Sequence, residues 1–187
     1  MLWLKITQRQ NLLKARSSVP DWYQQHCAQK ITKLILNLPI YQQASCIALY
    51  QAIKQEISLE ALFLHANKSH KTCVFPILNK DKSLQFGVAN EKTIFKKNRF
   101  EILEPTINEP SKKPIDIYFI PLVGFDSKGN RLGMGAGYYD RTLAKINNPF
   151  CVGIAYSFQQ LKLIPSAATD HKLDLIITEK EIIKGGA

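Results

Sequence analysis

Residues 131–141 read RLGMGAGYYDR: Gly133, Gly135 and Gly137 alternate with Leu132, Met134 and Ala136, arginines stand at both ends, and Tyr138-Tyr139-Asp140 lead out. Glycine loses the most backbone freedom on ordering, so such a cluster marks a chain that turns sharply or lets something approach its main chain. Each glycine can take a positive φ, which lets successive N–H groups converge on an anion just before a helix whose amino end adds partial positive charge. Arg131 and Arg141 add permanently charged, planar donors suited to phosphate oxygens, and Asp140 is a hard oxygen donor of the kind that holds magnesium beside phosphates. Phosphate binding is the chemistry these types suggest. Neither G-x-x-x-x-G-K-[ST] nor G-x-G-x-x-G is present, however, and a closely packed strand-to-helix connection explains the glycines equally well.

The surrounding pattern supplies the elements that would position such a loop. Leu12 and Leu13 follow a basic opening stretch, and after Pro20 the apolar residues Cys27, Ile31, Leu34, Ile35 and Leu38 recur at three-to-four spacing up to Pro39. This predicts a basic helix followed by an amphipathic one. CIALY (46–50) reads as a buried strand, residues 58–67 as a helix with Leu59, Leu62, Phe63 and Ala66 on one face, and TCVFP (72–76) as a second strand ended by its proline. LQFGV (84–88) alternates like a half-covered strand, and 91–99 reads as turn or short helix. IDIYFIPLV (115–123) is the strongest strand signal, followed by the turn residues DSKGN, the glycine stretch, a helix over 138–146 and strands at 150–155 and 173–178. Strands alternating with helices predict a single α/β domain over residues 1–187, its sheet mixed but mainly parallel and covered by helices on both faces. Ligand sites in such folds lie beyond the carboxyl ends of the strands, which is where the glycine loop falls.

Composition narrows the class. The 187 residues suffice for one compact core, and no apolar run approaches the ~18 residues of a membrane span. The amino terminus MLWLKITQ lacks the apolar region of a secretion signal, so a cytoplasmic protein without membrane contact is expected. Cys27, Cys46, Cys73 and Cys151 are far apart and read as reduced core thiols, and the four histidines share no metal-ligand spacing. The net charge of +10 invites a nucleic-acid reading. The basic clusters at 96–99 and 112–113 are short and lack interleaved aromatics, so a solvated basic face, or a field that draws in a small anionic substrate, is the preferred account.

PLVGFDSKGNRLGMGAGYYDRTLA (121–144) resembles the signature of the 5-formyltetrahydrofolate cyclo-ligase (methenyltetrahydrofolate synthetase) family. The similarity runs along nearly the whole chain in order and spacing: Lys5 and Arg9 as K-x-x-x-R, Glu56-Ile57, Phe75-Pro76, Glu104-Pro105 and PSAATDHKLDLIIT at 165–178. The resemblance implies an ATP-dependent ligase that closes 5-formyltetrahydrofolate, with or without a polyglutamate tail, to 5,10-methenyltetrahydrofolate, acting as a monomer with Mg²⁺ as cofactor. It implies Lys5 and Arg9 at the ATP phosphates, Arg9 also near the folate, and Arg131, Leu132, Gly133, Met134, Gly135, Ala136, Gly137, Tyr138 and Tyr139 as the nucleotide loop, with Arg131 catalytic alongside Lys5 and Arg9. Met134 to Tyr138 border the folate as well, Ile53 forms an apolar folate wall, and Asp140 and Asp170 are the magnesium carboxylates. From the residues alone, Lys5 and Arg9 would be a solvated helix face, Ile53 a core residue and Asp170 a turn or capping residue.

One departure stands out. Where the family places an acid against the pterin, this chain has Ser58 in Glu56-Ile57-Ser58-Leu59. Either Glu56 or a water held by Ser58 takes over that contact, or folate binding is weaker. Two rivals keep their discriminators: a nucleic-acid binder would show steeply salt-dependent oligonucleotide affinity without nucleotide hydrolysis, and a non-catalytic folate binder would bind without turnover.

Overall fold

The computed structural model describes residues 2–106, 109, 111–167 and 169–186; Ala168, within the 165–178 motif, lies outside them. The chain opens with α1 (Leu2–Ser17) and α2 (Asp21–Leu36). Pro20 caps α2 from outside its first turn, where a missing N–H costs nothing, and Pro39 opens a short α3 (Pro39–Gln43). There follow β1 (Cys46–Ala48), α4 (Glu60–Lys68), β2 (Thr72–Leu78), β3 (Leu84–Ala89) and the small hairpin β4 (Phe95–Lys97) with β5 (Leu103–Pro105). The second half holds β6 (Ile117–Pro121), a two-stranded ribbon of β7 (Gly124–Phe125) and β8 (Arg131–Leu132), α5 (Tyr138–Leu143), β9 (Cys151–Ile154), β10 (Leu175–Ile177) and β11 (Ile182–Lys184).

Seven strands form one sheet in the order β11-β10-β9-β6-β1-β2-β3, parallel from β10 through β2 with antiparallel strands at both edges. The fully buried stretches of β1 and β9 are what a sheet covered on both faces requires. One face packs Ile47, Phe119 and Val152 under Cys27, Ile31 and Ile35 of α2 and Leu62, Phe63 and Ala66 of α4. The other packs Tyr118, Ile120 and Ile176 under Leu143 of α5 and Leu173. The expected α/β architecture is met.

Three local readings need correction. Pro76 does not end β2: Val74 accepts from the Leu49 N–H on the β1 side, so Pro76, two residues on, turns its missing donor toward a neighbour that has already stopped. Residues 91–99 contain strand β4, since Phe95 and Lys97 pair with Pro105 and Leu103. The helix expected over 138–146 stops at Leu143, and β11 has no counterpart in the sequence reading.

α1 lies outside the sheet layers. Leu12 fastens it to Val123, Leu132 and Ile164, a contact of ~2 kcal/mol for a fully buried leucine. The backbone of β7 comes so close that a Cβ on Gly124 would sit 2.7 Å from Leu12 Cδ1, which is why glycine stands there.

Candidate active site

Four segments meet past the carboxyl ends of the central strands: α1, the connection 49–58 after β1, the glycine loop 133–137, and residues 167 and 169–171. The glycine loop hangs from the β7–β8 ribbon, whose turn is set by Asp126. That buried carboxylate accepts from the N–H groups of Lys128 and Asn130 at 3.0 Å, from the Asn130 side chain at 3.0 Å and from the Ile164 N–H at 2.9 Å, so its acceptor sites are filled and the ribbon is fixed.

Within the loop, Gly135 and Gly137 have φ of +98° and +72°, the conformation glycine was expected to supply. Gly133 does not share it, and a Cβ there would meet nothing within 4 Å. Met134, Gly135 and Ala136 are exposed, Tyr138 and Tyr139 partly covered. Leu132 is sealed against Leu12, so only its backbone can reach a ligand. α5 is short, so its dipole adds little, and Asp140 stands in its first turn.

Charged side chains tie these segments together. Arg9 Nε donates to the Gly133 carbonyl at 2.8 Å, laying its guanidinium against the loop. Lys5 Nζ donates to Asp170 Oδ2 at 3.1 Å. Arg131 donates one nitrogen to the His171 carbonyl and another to Asp140 Oδ1, which also accepts from the His171 N–H at 3.1 Å. Arg131 has five N–H donors, of which these contacts use two, and its side chain is only 6% exposed. Burial pushes the Asp170 carboxyl upward, but the Ala167 N–H, Lys5 and Arg131 together hold it below the usual range. Burial and Arg131 hold His171 low, toward neutral imidazole. Arg141, read as a second phosphate ligand, instead donates to the loop's own Ala136 carbonyl and to the Lys82 carbonyl, so it braces the loop from behind.

The connection after β1 forms the opposite wall. Ile53 is half-exposed beside the opening, not in the core, and Ser58 lines a narrow cleft with Leu49, Tyr50, Gln51, Ala52 and Phe75. Ser58 Oγ accepts from the Glu60 N–H at 3.2 Å. Glu56 faces inward: it is 7% exposed, its Oε2 accepts from the Ile53 N–H at 3.1 Å and its Oε1 lies 3.4 Å from Arg16 Nη2. Burial raises its carboxyl above the usual range, with Arg16 opposing. Of the two substitutes for the family's acid, Glu56 is thus committed to the protein interior. Lys54 and Gln55 hold φ of +47° and +57° in a turn closed by Glu56 N–H to the Ile53 carbonyl at 2.9 Å, a strain of ~1–2 kcal/mol per non-glycine residue.

The structure therefore brings Lys5, Arg9, Arg131, Asp140 and Asp170 to one rim and sets Ile53 and Ser58 on the wall after β1. Among the described residues no group of three or more His, Cys, Asp or Glu side chains forms a metal site. Asp140 and Asp170 are nevertheless hard oxygen donors on that rim, and magnesium takes one or two carboxylates plus phosphate oxygens, so the donor set fits. Sequence reasoning missed Arg16. The signal was present: Lys5, Arg9, Leu12 and Arg16 follow at intervals of four, three and four along one face of α1.

The sequence profile of the 5-formyltetrahydrofolate cyclo-ligase family matches residues 4–179. The Haemophilus influenzae 5-formyltetrahydrofolate cyclo-ligase is 38% identical over 177 residues, 90% of this chain and 95% of the relative. Its Mycoplasma pneumoniae counterpart is 33% identical over 175 residues, 92% of this chain and 96% of the relative. Among solved structures, the 5,10-methenyltetrahydrofolate synthetase of Aquifex aeolicus superposes with a TM-score of 0.85 at 31% identity, covering 97% of this chain and 92% of the other. That of Mycoplasma pneumoniae gives 0.74 at 32% identity, covering 94% and 98%.

Proposed function

Because the chain belongs to the 5-formyltetrahydrofolate cyclo-ligase family, we propose that its cleft converts 5-formyltetrahydrofolate and ATP to 5,10-methenyltetrahydrofolate, ADP and phosphate. The formyl group is an amide whose oxygen leaves poorly. Transfer of the γ-phosphoryl to that oxygen breaks the bond to ADP and makes a phosphorylated iminium. The N10 lone pair then attacks the formyl carbon, N10 loses its proton, and the carbon–oxygen bond breaks with phosphate as leaving group.

Such a transfer asks for positioning and charge neutralisation, not for a nucleophilic side chain. Lys5, Arg9 and Arg131 are the phosphate-facing cations, with the amides of the 132–139 loop beside them. The convergence of three contacts carries this reading: Lys5 on Asp170 at 3.1 Å, Arg9 on the Gly133 carbonyl at 2.8 Å, and Arg131 on Asp140. Met134, Tyr138 and Ile53 offer apolar surface to the pterin, and the hydroxyl proton of Ser58, whose oxygen already accepts from Glu60, is the group left to donate to it or to a bridging water. Asp140 and Asp170 would hold Mg²⁺, which supplies charge neutralisation and orientation of the triphosphate.

The finer reading is of a cytoplasmic monomer acting on folates with or without a polyglutamate tail. Four buried free cysteines support a reducing compartment. An open depression bordered by Lys96 and Lys97 supports an anionic tail, since the Phe63–Phe75–Phe95 edge-to-face contacts join that hairpin to the cleft. No helix among the described residues is long and apolar enough to cross a membrane. The test mixes the protein with 5-formyltetrahydrofolate and MgATP and follows the absorbance of the methenyl product, with controls lacking ATP and lacking Mg²⁺. ATP-dependent product is expected; folate binding without product would instead make this a non-catalytic relative.

A further inference from the structure

Arg16 is buried to 1% exposure, as deeply as Asp126. It lies about two turns past Arg9 and three past Lys5 on the same stripe of α1, too deep to touch a ligand. Its Nε donates to the Lys54 carbonyl at 2.9 Å and its Nη1 to the Leu122 carbonyl at 3.2 Å. Its Nη2 stands 3.4 Å from Glu56 Oε1, a charge contact without hydrogen-bond geometry. One guanidinium thus joins the helix of the phosphate-facing cations to the chain leaving β1 and the chain leaving β6.

The segment it grips is the strained one. Lys54 and Gln55 occupy the left-handed region in succession, which side chains other than glycine adopt only when surroundings compel it. The three carbonyls after Ile53 are each held by a side chain from elsewhere: Lys54 by Arg16 at 2.9 Å, Gln55 by the Tyr156 hydroxyl at 3.0 Å, and Glu56 by the Gln24 amide at 2.6 Å. Arg16 alone supplies a charge, and it alone belongs to α1. Ile53, where the turn starts, lies beside the cleft, and Ser58, two residues past its end, lines it.

We infer that Arg16 is a positioning residue: it holds the strained turn 53–56 in register with α1, so that the folate wall and the phosphate-binding face are set as one unit. The inference rests on the proposed folate reaction for its kinetic consequence, but its mechanical part does not. Guanidinium rather than ammonium is required because three partners lie in different directions.

The experiment compares the parent with Arg16→Lys, Arg16→Met and the double variant Arg16→Met, Glu56→Gln. The double variant is included because removing Arg16 alone leaves Glu56 buried without its counter-charge. Amide hydrogen exchange is expected to quicken about tenfold or more at residues 53–58 while the α4 amides keep their protection. The KM for 5-formyltetrahydrofolate should rise about tenfold, with the KM for MgATP changing less than about threefold, a split that a general loss of stability does not produce. Arg16→Lys should lie between parent and methionine variant on both readouts. Unchanged exchange at 53–58 in a folded variant overturns the inference even if the protein proves inactive on folate; a parallel rise of both KM values overturns it if the protein is active. A parent that turns over no folate, with exchange quickened as expected, sinks the proposed reaction and leaves the positioning role standing.

Discussion

Lys5 and Asp170, separated by 165 positions in sequence, meet at 3.1 Å across the rim of the cleft. The cation assigned to phosphate and the carboxylate assigned to magnesium therefore neutralise each other, and Arg131 with Asp140 repeats the arrangement. Arrival of MgATP would exchange partners without leaving a charge unpaired: phosphate for the cations, metal for the carboxylates.

This exchange has a sign that can be measured. Without divalent metal, ATP must displace a carboxylate from Lys5 and leave it beside the phosphates. Asp170→Asn should then bind metal-free ATP about fivefold more tightly than the parent, the equivalent of the ~1 kcal/mol of a partly exposed pair. With excess Mg²⁺ the order should reverse, because a metal ligand is gone. Calorimetric titrations in EDTA and in Mg²⁺ give both numbers. Equal weakening under both conditions would sink the exchange.

Arg131→Ala should lower kcat/KM by roughly 10²–10³, the range for removing one donor that stabilises transition-state charge. Stability should fall as well, by ~1–3 kcal/mol, because the side chain is only 6% exposed and holds Asp140 and the His171 carbonyl. Arg131→Lys should recover little of either, since one ammonium cannot serve both directions. Urea unfolding beside steady-state kinetics separates the two losses. A folded Arg131→Ala variant with parent-like kcat/KM would remove the loop from the phosphate chemistry.

Strand order could not be read from the sequence, although the alternation around CIALY, TCVFP and IDIYFIPLV did establish a parallel core, because apolar runs report burial and not neighbours. The edge elements escaped for the opposite reason. β4, β5 and β11 are short and carry Lys96, Lys97, Glu104 and Lys184, so no apolar period announces them. At the site, Lys5, Arg9 and Asp170 were legible only through the family resemblance, since each alone is an ordinary solvated residue. Arg16 was passed over and the burial of Glu56 went unread because charge predicts exposure, and only the three-dimensional pairing shows why these two are buried.

The three loop glycines should not behave alike. Gly133→Ala places a methyl in open space at an ordinary φ and should shift stability by less than ~0.5 kcal/mol. Gly135→Ala and Gly137→Ala force a side chain into positive φ and should each cost ~1–2 kcal/mol of local strain. In Gly137→Ala the new methyl would also stand 2.9 Å from Arg141 Nη1, so the guanidinium must shift and disturb the bond from its Nη2 to the Ala136 carbonyl. The KM for ATP should rise for the second and third variants and not for the first. Equal effects from all three would mean that backbone conformation is not what the loop needs.

Acid should weaken the fold through three carboxylates. Asp116 accepts from the N–H groups of Ser45 and Cys46 at 2.7 and 2.9 Å, Asp170 from Ala167 at 3.0 Å, and Glu179 from Ser157 at 2.9 Å. Burial pushes each carboxyl upward, yet these donors win and hold all three below their usual values. A carboxylate depressed by folding contributes stability that is complete above its unfolded pKa, about 3.9 for Asp and 4.3 for Glu, and that is lost as pH falls through the lower folded value. Thermal midpoints should therefore fall below about pH 4, with no loss from these groups between pH 5 and 8. Asp116→Asn removes one of the three protons from the transition and should make the fall shallower; an unchanged slope would mean that its contacts at the start of β1 do not outlast the native state's other losses in acid.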